Sequence, residues 1–171
     1  DNNIAISSMA INTYLTSALI VKVYTRLGSY KGYEDDITLA WTYVGSTLVI
    51  GQGMDRPTKI TGVFSNEEKP IVIRKGTRQA FYITSDGPFI RSSTGETAIE
   101  WNDDVACANN TDIQLFQGIG THYPSTHNSG SNSSPQIWNG RIQYHILNDT
   151  YFSPKKSEPD TFIRGDLSVV E

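Results

Sequence analysis

The chain has 171 residues, a formal net charge of -4, three histidines and one cysteine. That length suits one domain with a core of its own, and the mild acidity without a basic stripe gives nucleic-acid binding no support. No apolar run approaches a membrane-spanning length, no signal-peptide pattern opens the chain, and a single cysteine excludes an intrachain disulfide.

The predicted elements are strands almost throughout. Residues 4–11 alternate in part, with Ile4 and Ile6 followed by Met9 and Ile11 after a Ser-Ser step, which predicts a strand with a bulge. Residues 18–25 are rich in β-branched and aromatic side chains, and the short connection near Asn12-Thr13 predicts a hairpin between these two strands. Residues 41–50 and 59–64 follow as further candidates, with one short helical turn over 35–40. Pro70-Ile71-Val72-Ile73 and 79–84 flank Lys75-Gly76-Thr77 and read as a second hairpin. Residues 89–91 and 112–117 precede the most informative run, 134–146. There Trp138-Asn139-Gly140 makes a sharp turn into a strand whose Ile142, Tyr144 and Ile146 alternate with Arg141, Gln143 and His145. Asn-Gly readily adopts positive backbone angles, which supports a turn at that place. Eight or nine short strands with Gly/Pro/Asn/Asp punctuation predict an all-β fold, a two-sheet sandwich of jelly-roll type with two long loops over 94–110 and 122–135. The predicted module spans 1–147, and the polar stretch 148–171 reads as a C-terminal tail or linker.

Several motifs, taken in order, resemble an extracellular β module found, often in repeats, in secreted proteins of marine microalgae and bacteria. They are Val21-Lys22-Val23-Tyr24-Thr25-Arg26-Leu27-Gly28-Ser29-Tyr30-Lys31-Gly32-Tyr33-Glu34 followed by Trp41, then Gly51-Gln52-Gly53, Gln79-Ala80-Phe81-Tyr82-Ile83-Thr84, Gly118-Ile119-Gly120 with Tyr123-Pro124, and Pro135-Gln136-Ile137-Trp138-Asn139-Gly140. Together they cover nearly all of 4–147. The resemblance implies an extracellular location and a β architecture rather than a particular activity. Gln136 stands where the module usually has Arg, and no Tyr follows Arg91.

Candidate chemistry is sparse. Glu34-Asp35-Asp36, and Asp103 and Asp104 with Glu100, Asn102 and Asp112, gather the carboxylate oxygens that calcium takes, although neither group has the spacing of a helix–loop–helix site. The alternative is a solvated acidic face. No carboxylate pair is singled out for glycoside hydrolysis, no G-x-S-x-G marks a nucleophile, and His122, His127 and His145 lack a metal-site pattern. Binding has better support than catalysis. Nine tyrosines and three tryptophans on a Gly/Ser/Asn-rich scaffold offer amphipathic rings for sugars or protein neighbours. Tyr30, Tyr33, Trp101, His122 and Tyr123 are the candidate ligand contacts, whereas Trp41 and Trp138 read as core anchors. Asn109, Asn132 and Asn148 open N-glycosylation triplets. Cys107 reads either as a packed small residue or as a partner for another chain. The expected function is a non-catalytic structural or adhesive module of a cell-surface or extracellular assembly, with other copies or modules as partners. The alternative is a carbohydrate-binding module stabilised by calcium.

Overall fold

The computed structural model describes residues 2–34, 39–64, 70–94, 106–120, 135–148 and 163–169, with Thr94, Pro135 and 163–169 described by their backbone alone. It contains no helix among these residues, and its strands form several antiparallel sheets in a sandwich-like fold that is not a closed barrel.

In chain order the strands are β1 (Asn3–Thr13), β2 (Ala18–Leu27), β3 (Thr42–Ile50), β4 (Thr58–Ile60), β5 (Ile71–Ile73), β6 (Gln79–Ser85) and β7 (Ile90–Thr94). They continue with β8 (Ala106–Asn109), β9 (Gln114–Phe116), β10 (Gly118–Ile119), β11 (Pro135–Trp138), β12 (Gly140–Leu147) and β13 (Ile163–Val169). The large sheet runs β10-β11-β7-β1-β12-β13, with β4 and β5 also paired to β1; the small sheet is β3-β2-β6, and β8 pairs with β9. Strand β13 carries the large sheet one strand beyond β12, from Gly140↔Val169 to Ile146↔Ile163.

The apolar alternation explains how the sheets meet. Strand β1 contributes Ile4, Ile6, Met9 and Ile11, β2 contributes Leu19, Val21 and Val23, and β12 contributes Ile142 and Tyr144 to one buried cluster. The register of β1 against β12 shifts between Ile6 and Ser8. This bulge restores inward pointing for Met9 and Ile11 after the Ser-Ser step, as the sequence pattern predicted.

Neither predicted hairpin forms. Strands β1 and β2 lie in different sheets, and so do β5 and β6. Each of β1 and β2 has a largely apolar side, ending in a buried threonine (Thr13, Thr25), and facing those sides across the core buries the apolar surface of both strands. The connection over 14–17 accordingly bonds to the end of β3: Gly51 N–H donates to Ser17 O and Gly53 N–H to Leu15 O, both at 2.9 Å. Gly51 has to be glycine, because a Cβ there would meet the Leu15 carbonyl oxygen and sit 2.8 Å from the Leu15 carbonyl carbon. The predicted turn at Lys75-Gly76-Thr77 does exist, with Gly76 at φ 70° and Thr77 N–H donating to Arg74 O at 2.9 Å, but it passes the chain from one sheet to the other.

The Trp138-Asn139-Gly140 corner joins β11 to β12 as expected, yet neither Asn139 nor Gly140 has a positive φ. The glycine answers a close approach. A Cβ on Gly140 would meet the Ala10 carbonyl oxygen of β1 and lie 2.6 Å from Cε2 of Trp138. The Asn139 side-chain amide donates to Ser93 Oγ at 2.8 Å, and the Asn139 backbone carbonyl accepts from Asn12 N–H at 3.1 Å, which together fix the corner.

Candidate functional site: the outer face of the small sheet

Strand β2 alternates cleanly. Leu19, Val21, Val23 and Thr25 are buried, while Ile20, Lys22, Tyr24 and Arg26 form the side turned away from the core. Register then decides what stands beside them. Tyr24 lies directly opposite Tyr43 on β3 and Tyr82 on β6, so three tyrosines line up across the sheet. Their rings are 5.2 Å and 5.8 Å apart, inclined at 54° and 46°. Aromatic neighbours at these separations stabilise by about 0.5–1.5 kcal/mol each beyond area burial. The buried Trp41 extends the row, 6.0 Å from Tyr82.

Tyr30 and Tyr33 sit at this end of the sheet, in the turn that follows β2, where Tyr33 N–H donates to Tyr30 O at 3.0 Å and Gly32 takes φ 79°. The Trp41 indole N–H donates to Tyr33 O at 2.8 Å, and the Arg26 guanidinium lies 3.4 Å above the Tyr33 ring. Arg26 also donates to Ser29 O. A stacked, hydrogen-bonded guanidinium of this kind holds the turn against the sheet.

The other end of the same face is aliphatic. Ile20 lies opposite Leu48, and Ala18 opposite Ile50. Ile20 is 40% exposed, Leu48 64%, Ile50 57%, and Tyr43 further along 53%. Tyrosines and aliphatics therefore share one solvent-facing surface with Lys22 between them.

Of the residues predicted from sequence, Tyr30 and Tyr33 join this surface. Trp101, His122 and Tyr123 lie outside the described residues, as do Asp35, Asp36, Asp103, Asp104 and Asn132. Glu34 ends the turn that carries Tyr33, and among the described residues no three His, Cys, Asp or Glu side chains gather as a metal site would require. Asp112, grouped above with the acidic loop, accepts hydrogen bonds from Tyr144 Oη at 2.9 Å and Asn2 Nδ2 at 3.0 Å. Asn109 and Asn148 are both exposed, and neither belongs to the small sheet. The indole N–H of Trp138 is buried without a partner among the described residues.

Tyr24, Tyr43 and Tyr82 were not legible as a group. Tyr43 faces Tyr24 only because the register shifts between Val23 and Tyr24, and strand pairing is invisible in a single sequence.

Cys107 is half-buried, and its thiol donates to Leu115 O at 3.4 Å. Burial pushes the thiol above its ordinary range. Since the thiolate is the reactive form, iodoacetamide at pH 8 is expected to alkylate Cys107 at least about tenfold more slowly in the folded chain than in denaturant, read by mass spectrometry. Equal rates would show that the residue is not packed in this way.

Among the described residues no helix is long and apolar enough to cross a membrane. Comparison with protein-family models, with curated proteins and with solved structures finds no match for this chain.

Proposed function

We propose that the chain is a non-catalytic extracellular structural or adhesive module that joins a cell-surface or extracellular assembly through protein contacts made by its small sheet. The observation that carries this reading is the group of adjoining exposed apolar side chains Ile20, Leu48 and Ile50, with Tyr43 further along the same sheet face beyond Lys22. Contiguous apolar surface of this kind on a folded domain marks a contact site. The extracellular placement draws on the sequence resemblance and on the exposed sequon residues Asn109 and Asn148, which lie away from that face. Partners are other copies or modules of the same assembly.

One observation favours carbohydrate binding as a second reading. The Tyr24, Tyr43 and Tyr82 rings stand in a row, and their hydroxyls bond to none of the described residues. Sugar hydroxyls would find partners there. The mutual inclination of the rings weighs the other way, since a flat saccharide stacks best on a level platform.

Sedimentation velocity on the purified chain, beside a glycan array, separates the two. Assembly predicts a sedimentation coefficient that rises with concentration and no glycan signal. A chain that stays monomeric at every concentration but binds a glycan, with binding lost in Tyr43→Ala, would replace the first reading by the second.

A further inference from the structure

We infer that the partner is a second copy of this chain, joined through the outer edge of β3 by antiparallel pairing about a two-fold axis at Leu48. The inference rests on the protein-contact reading above.

Strand β3 pairs with β2 on one side and with no described strand on the other. The direction of its backbone groups follows from the neighbouring bonds. Gly51 N–H donates to Ser17 O, and Ile20 O accepts from Asp86 N–H on the β6 side. Antiparallel ladders alternate, so Thr47 and Val49 direct their backbone groups to β2, and Ser46, Leu48 and Ile50 direct theirs outward. The side chains of these three residues are exposed as well.

Folded proteins protect long edges with charge, proline or an inward lysine. From Thr42 to Gly53 this edge carries no charged residue and no proline. That absence suits self-pairing specifically. In a two-fold antiparallel pair about Leu48 the axial residue meets its own copy, so a charge at that position would face a like charge, and Leu48 there meets an apolar side chain. Strand β6, the other edge of the small sheet, is uncharged too, but none of its side chains is exposed.

Pairing about Leu48 sets Ser46 against Ile50 of the second copy and makes about six backbone hydrogen bonds. It also extends an existing row: Ile20 already stands opposite Leu48, so an apolar stripe runs Ile20, Leu48, then Leu48 and Ile20 of the second copy. The adjoining groove, lined by Leu48, Ile50, Pro57, Lys59 and Thr61, places the Lys59 charge on the strand next to the edge and off the pairing strand itself.

Sedimentation equilibrium of the intact chain tests the inference with three variants. Ser46→Pro removes an outward N–H at a position where an edge strand tolerates proline. Leu48→Lys keeps the backbone and sets like charges across the axis, which covers the case of a proline variant that fails to fold. Ile20→Lys alters the same face away from the axis. The expected result is a monomer–dimer equilibrium that closes at two copies. Both edge variants should weaken it at least about tenfold, and Ile20→Lys by much less. Open-ended growth, or a dimer indifferent to both edge variants, overturns the inference. If Ile20→Lys alone abolishes association, the face is the contact and the protein-contact reading survives without the edge. A wild-type chain that never associates overturns both.

Discussion

Gly140→Ala is expected to lower the melting temperature by roughly 6–12 °C. Forcing an extra methyl into a packed site costs about 1–3 kcal/mol and more when nothing can yield. Here one obstacle is the Ala10 carbonyl oxygen, held in the β1–β12 ladder where Ile11 pairs with Gly140, and the other is the Trp138 ring. A cost of about 3 kcal/mol corresponds to 2–4 °C per kcal/mol in a domain of this size. Truncating Trp138 to leucine in the same chain should not restore stability, because the carbonyl stays. Gly118→Ala is the matched control, since the nearest atom to its added Cβ is Gln136 O at 3.9 Å. Thermal unfolding followed by circular dichroism reads all three. A Gly140→Ala chain melting within a degree of wild type would mean that the corner is built otherwise.

Tyr144 carries the second large effect. Its side chain is fully buried among Ile4, Ile6 and the rest of the core, and its hydroxyl donates to Asp112 and accepts from Asn110 Nδ2 at 2.9 Å. Asn110 in turn holds the β8–β9 turn by accepting from the N–H groups of Asp112 and Ile113 at 2.9 and 3.0 Å. One phenol thus ties the core to the hairpin. Tyr144→Ala should cost about 3–5 kcal/mol, the range for emptying an aromatic site in a core. Tyr144→Phe keeps the ring and should cost about 1–2 kcal/mol, because Asp112 and Asn110 lose a shared partner. The phenylalanine variant should also speed amide exchange at Asn110 and Ile113 while leaving β2 protected. Unchanged exchange in the hairpin would show that the hydroxyl does not anchor it.

Periodicity made the strands legible, and pairing stayed hidden. The Ile4, Ile6, Met9, Ile11 spacing predicted both β1 and its bulge, and the Ile142–Tyr144–Ile146 alternation located β12. The two predicted hairpins failed for one reason. Short connections at Tyr14–Ser17 and Arg74–Arg78 look the same in sequence whether they join neighbours in one sheet or cross between sheets. The Asn139-Gly140 pair marked a real corner, although steric crowding and not a left-handed turn demands the glycine. Among candidate site residues, Tyr30 and Tyr33 were legible as rings on a polar scaffold, and they lie in the turn after β2. Tyr24, Tyr43 and Tyr82 looked like ordinary strand aromatics until register set them side by side.

The small sheet as the contact surface can be tested residue by residue with amide spectra of the isotopically labelled chain over a concentration series. Shifts and line broadening are expected to concentrate at Ile20, Tyr43, Ser46, Leu48 and Ile50, with β12 and the β8–β9 hairpin unchanged. Spectra that do not vary with concentration, or changes centred on the large sheet, would contradict it.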